Sequence, residues 1–186
     1  RETLEALAGA VAMRDAFADR SAACVTGAAR TLAAALGMDE AETELLTTAA
    51  IVYDIGKVAI PVEVLNRRGE LTEEERAVIR RHPEVGKRLL ESVMRLRNAL
   101  PAVVHHHERW DGTGYPSGLK GEEIPLLARA VAICDAYQAM VVDRPYRAAM
   151  SQEVAVEQLR QGAGTQFDPH LVELFVDALQ KQGAVT

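Results

Sequence analysis

The chain predicts an all-α fold, a single helical bundle, and three observations carry that expectation. Apolar residues recur at three- and four-residue spacing in one segment after another, as the buried face of a helix requires. No segment alternates apolar and polar residues like a half-buried strand. Side chains that cap helix N-termini stand just ahead of several apolar runs. The 186 residues, 48% of them apolar and 26% charged, suffice for one domain with a real core and exclude a disordered chain.

The elements follow in order. Leu4, Leu7, Ala8, Val11 and Ala12 fall at helical spacing, as do Val25, Ala28, Leu32 and Leu36 ahead of Gly37, which suits the position just past a helix end. Asp39 and Glu42 form a capping box for a helix carrying Leu45, Leu46, Ala49 and Val52 and stopping at Gly56, with Tyr53 and Asp54 on its last turn. Thr72 and Glu75 repeat that signal. Pro83 fits the first turn of a helix through Leu89, Leu90 and Val93, so His82 stands at a helix junction. Pro101 opens another helix with His105, His106 and His107 near its C-terminal end, and the Gly-rich run from Trp110 to Gly121 then breaks regularity. Ile124 to Met140 reads as a buried helix, Ser151 starts a further one, and Asp168-Pro169 starts the last, which bears Leu171, Val172, Leu174, Phe175 and Leu179. No repeat or linker divides the chain, so residues 1–186 are expected to form one domain.

Charge and cysteine content narrow the setting. A formal charge of −6 and a pI near 5.4 argue against a nucleic-acid polymer as partner, while a local basic pocket for a small anion remains open. No apolar stretch approaches the roughly 20 residues that span a bilayer, no signal peptide is present, and two isolated cysteines, Cys24 and Cys134, suit a reducing cytoplasm. Arg1 in place of Met is read as the start of a piece of a longer protein, with an upstream sensor or receiver domain expected; a homodimer is among the arrangements left open.

The chemistry lies in the histidines. Four of the five, His82, His105, His106 and His107, cluster with acids at helix ends, and imidazole with carboxylate is a ligand set for iron, manganese or zinc. A His triplet alone would read as a solvated helix end. This one runs into Glu108-Arg109-Trp110-Asp111-Gly112-Thr113-Gly114-Tyr115-Pro116, and Asp135 follows inside an apolar helix, where an unpaired carboxylate is costly and needs a cation or a donor.

The run from His106 to Pro116, continued by Gly118-Leu119-Lys120-Gly121-Glu122-Glu123-Ile124-Pro125, is similar to the signature of HD-GYP domains. Asp54-Ile55-Gly56-Lys57, His82-Pro83-Glu84, Asp143-Arg144-Pro145-Tyr146-Arg147 and Gly164-Thr165-Gln166-Phe167-Asp168-Pro169 extend the resemblance over nearly the whole chain. It implies a five-helix HD-superfamily core with extra C-terminal helices, a buried bi- or trinuclear metal site, and hydrolysis of cyclic di-GMP to pGpG or GMP in bacterial signal transduction.

Departures from that pattern carry equal weight. The family's His-Asp pair is Tyr53-Asp54 here, and the His expected near the start of the second helix falls on Ser21. Acids used by trinuclear members fall on Phe17 and Gln138, so no third ion is expected. By resemblance the first metal position keeps only Asp54 and Asp135, whereas the second keeps Asp54, His82, His106 and His107, so at most one tightly bound divalent metal is expected, iron or manganese ahead of zinc. A phenol is no substitute for a neutral imidazole ligand, although Tyr53 can donate a hydrogen bond, and ordinary packing is an equal reading of it. His105 has no role to carry over.

Lys57, which the resemblance pairs with Asp54 in catalysis, matches a residue that contacts the scissile phosphate; Arg144 and Arg147 match phosphate-holding positions, where guanidinium forks are well suited. Gly112, Gly114, Tyr115 and Pro116 shape a loop that the resemblance links to docking of diguanylate cyclase domains, with shaping of the pocket entrance as the alternative; Trp110 reads as a packing anchor. The expectation is a degenerate phosphodiesterase domain that binds cyclic di-GMP or a partner domain with weak hydrolysis; an active phosphohydrolase with a mononuclear or rearranged site is the alternative. A purely structural helix bundle would leave the shared presence of Asp54, Lys57, His82, His106, His107 and Asp135 unexplained.

Overall fold

A computed structural model of the chain describes residues 9, 11, 21–67, 69–143 and 147–183. The expected helix over residues 4–12 lies outside them except at Gly9 and Val11. Helix α1 runs Ser21–Ala35 and ends against Gly37, whose φ of 68° is the left-handed conformation that favours glycine there. Helix α2 spans Glu40–Val52, and its capping box forms as expected: the Asp39 carboxylate accepts from the Glu42 amide at 2.8 Å, and the Glu42 carboxylate accepts from the Asp39 amide at 3.0 Å. It stops at Val52, earlier than the sequence suggests, with Tyr53 at its C-cap and Asp54 leading a 3-10 turn, Ile55–Ala59. A short α3, Val62–Leu65, precedes α4, Glu73–Ile79, which carries the second capping box on Thr72 and Glu75.

Helix α5, His82–Leu90, has Pro83 in its first turn, where the missing amide costs nothing. It ends before Val93, and a 3-10 segment, Met94–Ala99, leads into α6, Leu100–His105. His106 caps α6, so two consecutive imidazoles leave the helix end in a turn. After the glycine-rich loop and a 3-10 turn at Gly121–Glu123 come α7, Leu126–Val141; α8, Gln152–Gly162, capped by the Ser151 hydroxyl; and α9, Pro169–Gly183. No strand occurs among the described residues; Ala163 and Phe167 form one isolated bridge.

Helix α1 packs against α2, α7 and α9. Their apolar faces make one core around Leu32, Leu46, Ile133, Leu159, Leu171 and Phe175, all essentially without solvent exposure. A second cluster, Ile51, Val52, Leu90, Leu96 and Val103, ties α2 to α5 and α6. Its consequence is positional, because the chain leaves this cluster at Asp54, His82 and His106 and so brings three distant segments to one end of the bundle.

Glycine makes that junction close. A Cβ on Gly56 would stand 1.9 Å from the His82 carbonyl oxygen and 2.6 Å from the Gly86 amide nitrogen, and a Cβ on Gly86 would meet Val103 Cγ1 at 2.8 Å. The Asp54 segment and α5 therefore touch through backbone, and the Val103 side chain of α6 packs onto the bare Gly86. The sequence reads Gly56 as a helix stop; the structure gives it this packing reason.

Candidate metal centre

Asp54, His82, His106 and His107 each offer a ligating atom, and these atoms lie within 4.8 Å of one another. The orientation of two rings is fixed from behind. His82 Nδ1 donates to the Ile79 carbonyl at 2.7 Å, and His106 Nδ1 is shared between the carbonyls of Ala102 at 3.2 Å and Val103 at 3.0 Å. A carbonyl only accepts, so in the neutral form of either ring the proton sits on Nδ1 and Nε2 presents a bare lone pair. Those two Nε2 atoms face each other at 3.2 Å, and Asp54 Oδ1 lies 3.3 Å from one and 3.7 Å from the other. Oδ1 is out of solvent and without a hydrogen-bond partner. Three acceptors aimed at one point repel unless a cation lies between them, and carbonyl-anchored imidazoles are how proteins orient metal ligands. The residues fit one divalent ion.

The other groups agree with that fit. Burial, then the nearby His106, pushes His107 down to about 2, so its ring is neutral and able to coordinate. Burial opposes ionisation of Asp54, but the Lys57 ammonium, 2.6 Å from Oδ2, holds the carboxyl well below the ordinary range.

Asp135 is placed differently. It lies outside the four-ligand cluster and accepts a 2.7 Å hydrogen bond from the Tyr53 hydroxyl. Burial, then the charges of Asp135 and Asp54, raises the Tyr53 phenol well above its ordinary value, so it stays a donor. Burial, then the Asp54 charge, raises Asp135. The two readings of Tyr53, packing and hydrogen bonding, both hold: its ring also meets His106 edge-on, centroids 5.0 Å apart.

The glycine-rich loop closes one side. The Tyr115 ring stacks on His107, centroids 4.8 Å apart and 22° between planes, and burial, then Asp54, raises its phenol to about 12. Gly112 has φ 83°, and a Cβ on Gly114 would stand 2.4 Å from the Arg109 amide nitrogen, so both positions need glycine. Pro116 follows Tyr115 through a cis peptide bond. Glu108, whose role sequence reasoning missed, clips the loop: its buried carboxylate accepts from the amides of Ser117 at 2.7 Å and Leu119 at 3.2 Å. His105 reaches the same carboxylate at 3.4 Å. No sequence pattern separates such a clip from a fifth ligand, since it directly follows His107. From outside, the amides of Trp110 and Asp111 donate to the carbonyls of Gln166 and Thr165 at 3.2 and 2.8 Å, and Arg129, 5.9 Å from the Trp110 ring, pairs with Asp168 at 2.7 Å. Trp110 is thus an anchor of the loop. Arg147 donates to the Ala139 carbonyl within the C-terminal part of α7, while Arg144 and Phe17 lie outside the described residues, as does the side chain of Ser21.

Comparison with known proteins adds the following. A family described as HD domain matches residues 5–171. The cyclic di-GMP phosphodiesterase response regulator RpfG of Xanthomonas campestris pv. campestris is 41% identical over 175 residues, covering 93% of this chain and 46% of that protein. The cyclic di-GMP phosphodiesterase PA4108 of Pseudomonas aeruginosa is 43% identical over 132 residues, 70% of this chain and 32% of that one. Among solved structures, a cyclic GMP-AMP specific phosphodiesterase of Vibrio cholerae superposes with a TM-score of 0.74 at 20% identity, covering 99% of this chain and 49% of the other, which is a likeness of fold. The chain thus spans less than half the length of these curated relatives.

Proposed function

This chain belongs to the HD domain family, and from that premise we propose that it holds one divalent ion between Asp54, His82, His106 and His107 and binds a cyclic dinucleotide, cyclic di-GMP first, with slow hydrolysis. The observation that carries the reading is the convergence of His82 Nε2, His106 Nε2 and the partnerless Asp54 Oδ1, with His107 completing the set. Relatives named as cyclic di-GMP phosphodiesterases support the ligand class.

When bound, an ion there supplies the charge that polarises a phosphoryl oxygen and acidifies a water. The residues do the rest. The Ile79, Ala102 and Val103 carbonyls hold two imidazoles in the ligating tautomer, Tyr115 covers His107 on the loop side, and the Lys57 ammonium stands where a phosphate meeting Asp54 would find a countercharge. Slow hydrolysis is the expected consequence of Ser21 and Tyr53, which stand where the family's first metal position has imidazoles, and the Tyr53 hydroxyl already occupies one oxygen of Asp135. A single ion gives up part of the nucleophile activation and transition-state stabilisation of a two-ion site, terms worth several kcal/mol.

An active phosphohydrolase is the second reading, favoured by the completeness of the four-ligand set. Metal identity, iron or manganese before zinc, an upstream sensor or receiver domain, and docking of a diguanylate cyclase domain on the loop of Gly112, Gly114, Tyr115 and Pro116 belong to the same proposal. Among the described residues no helix is long and apolar enough to cross a membrane. Elemental analysis with cyclic di-GMP binding and turnover in excess manganese tests the reading. About one equivalent of metal, clear binding and slow turnover are expected. Two equivalents with brisk turnover would replace this reading by the second.

A further inference from the structure

We propose that Arg80 binds a phosphate of the ligand at the mouth of this site. The inference rests on the proposed cyclic-dinucleotide reading but on different residues. Arg80 is exposed at the C-terminal end of α4, two residues before His82, and its guanidinium carbon lies 5.6 Å from the centroid of the Tyr115 ring. That ring stacks on His107, so Tyr115 connects an exposed cation directly to a member of the metal cluster.

The kind of contact matters. A guanidinium resting on an aromatic face is held by the ring quadrupole and keeps its N–H donors in its own plane, free for a second partner. Among the described residues no carboxylate forms an ion pair with Arg80, whereas Lys57 is engaged by Asp54. In a chain of net charge −6, an anion approaching the cluster needs local cations, and an oriented fork beside the metal ligands is matched to phosphate geometry. Arg81, exposed at the next position with no ring beneath it in the described structure, is the internal control: its removal changes net charge equally and takes nothing from the site.

The test titrates the full chain, loaded with manganese, with cyclic di-GMP and separately with pyrophosphate. Arg80→Ala is expected to weaken cyclic di-GMP binding about tenfold and to flatten its salt dependence, with metal content and melting temperature unchanged; Arg81→Ala should stay within about twofold of wild type, and Arg80→Lys should recover part of the loss. Equal cyclic di-GMP affinity in wild type and Arg80→Ala would overturn the inference and leave the proposed function standing. If wild type ignores cyclic di-GMP but holds pyrophosphate in an Arg80-dependent manner, the proposed ligand falls and the role of Arg80 survives. Failure to bind either probe would overturn both.

Discussion

Asp54 and Asp135 lie at the same end of the bundle and face the same difficulty, a partly buried carboxylate, and they meet it in opposite ways. Asp54 Oδ1 points at imidazole lone pairs and has no donor. Asp135 has a donor of its own, the phenol of Tyr53, at 2.7 Å. A buried acceptor that lacks a proton donor is destabilising unless a cation arrives, whereas one with a donor is satisfied within the chain. The difference teaches that one place in this pocket is built incomplete and its neighbour is built complete. The side chain that separates them is Tyr53, the residue before Asp54.

The largest effect is expected from breaking the incomplete side. Asp54→Ala should lower affinity for manganese more than about 100-fold, since even changes behind the ligands cost 10- to 100-fold; metal competition with a chelating dye measures it. Retained affinity would mean that the imidazoles alone hold the ion. Opening the complete side should have the next largest effect. Ser21→His with Tyr53→His is expected to bring the metal content from about one equivalent toward two and to raise cyclic di-GMP turnover at least tenfold in the same manganese assay. Unchanged stoichiometry would show that Asp135 is not available to an ion even when its phenol is gone. The smallest effect sharpens the contrast. Tyr53→Phe removes only the donor, so Asp135 becomes the unsatisfied acceptor, and a stability loss of about 1–3 kcal/mol in denaturant unfolding is expected while the metal count stays as it was. A neutral result would mean that Asp135 finds another partner.

How much of this was open to sequence reasoning depends on how local each signal is. Both capping boxes, the left-handed Gly37, Pro83 in the first turn of α5 and Pro169 opening α9 are contacts within four residues, and each stands where the sequence puts it. Asp54, His82, His106 and His107 were legible as a set through the resemblance to a known family signature, and the histidines among them also by their clustering with acids at helix ends. Tyr53 was only half legible: helical periodicity says that it is buried, but its partner lies 82 residues away on another helix. Glu108 was hidden because its partners, the amides of Ser117 and Leu119, lie nine and eleven residues on in an irregular loop whose path no local pattern gives. Arg147, matched to phosphate binding by resemblance, also donates to the Ala139 carbonyl, a tertiary contact that local spacing does not announce. The early end of α2 at Val52 was missed because Asp54 and the 3-10 turn after it are set by contact with α5, a tertiary influence that local propensity does not contain.

That contact has a bearing on how such a site can persist while sequences drift. At Gly56 there is no room for a single methyl group before the His82 carbonyl, so the gap between the segment carrying Asp54 and the helix carrying His82 is gauged by main chain against main chain. Core side chains behind it can be exchanged for others of different volume, and the helices they support can shift slightly, without this gauge changing. The ligand spacing is thereby insulated from most of the mutational history of the hydrophobic core. Two glycines, at 56 and 86, carry the vulnerability instead, and a lineage that lost either would be expected to lose the metal before it lost the fold.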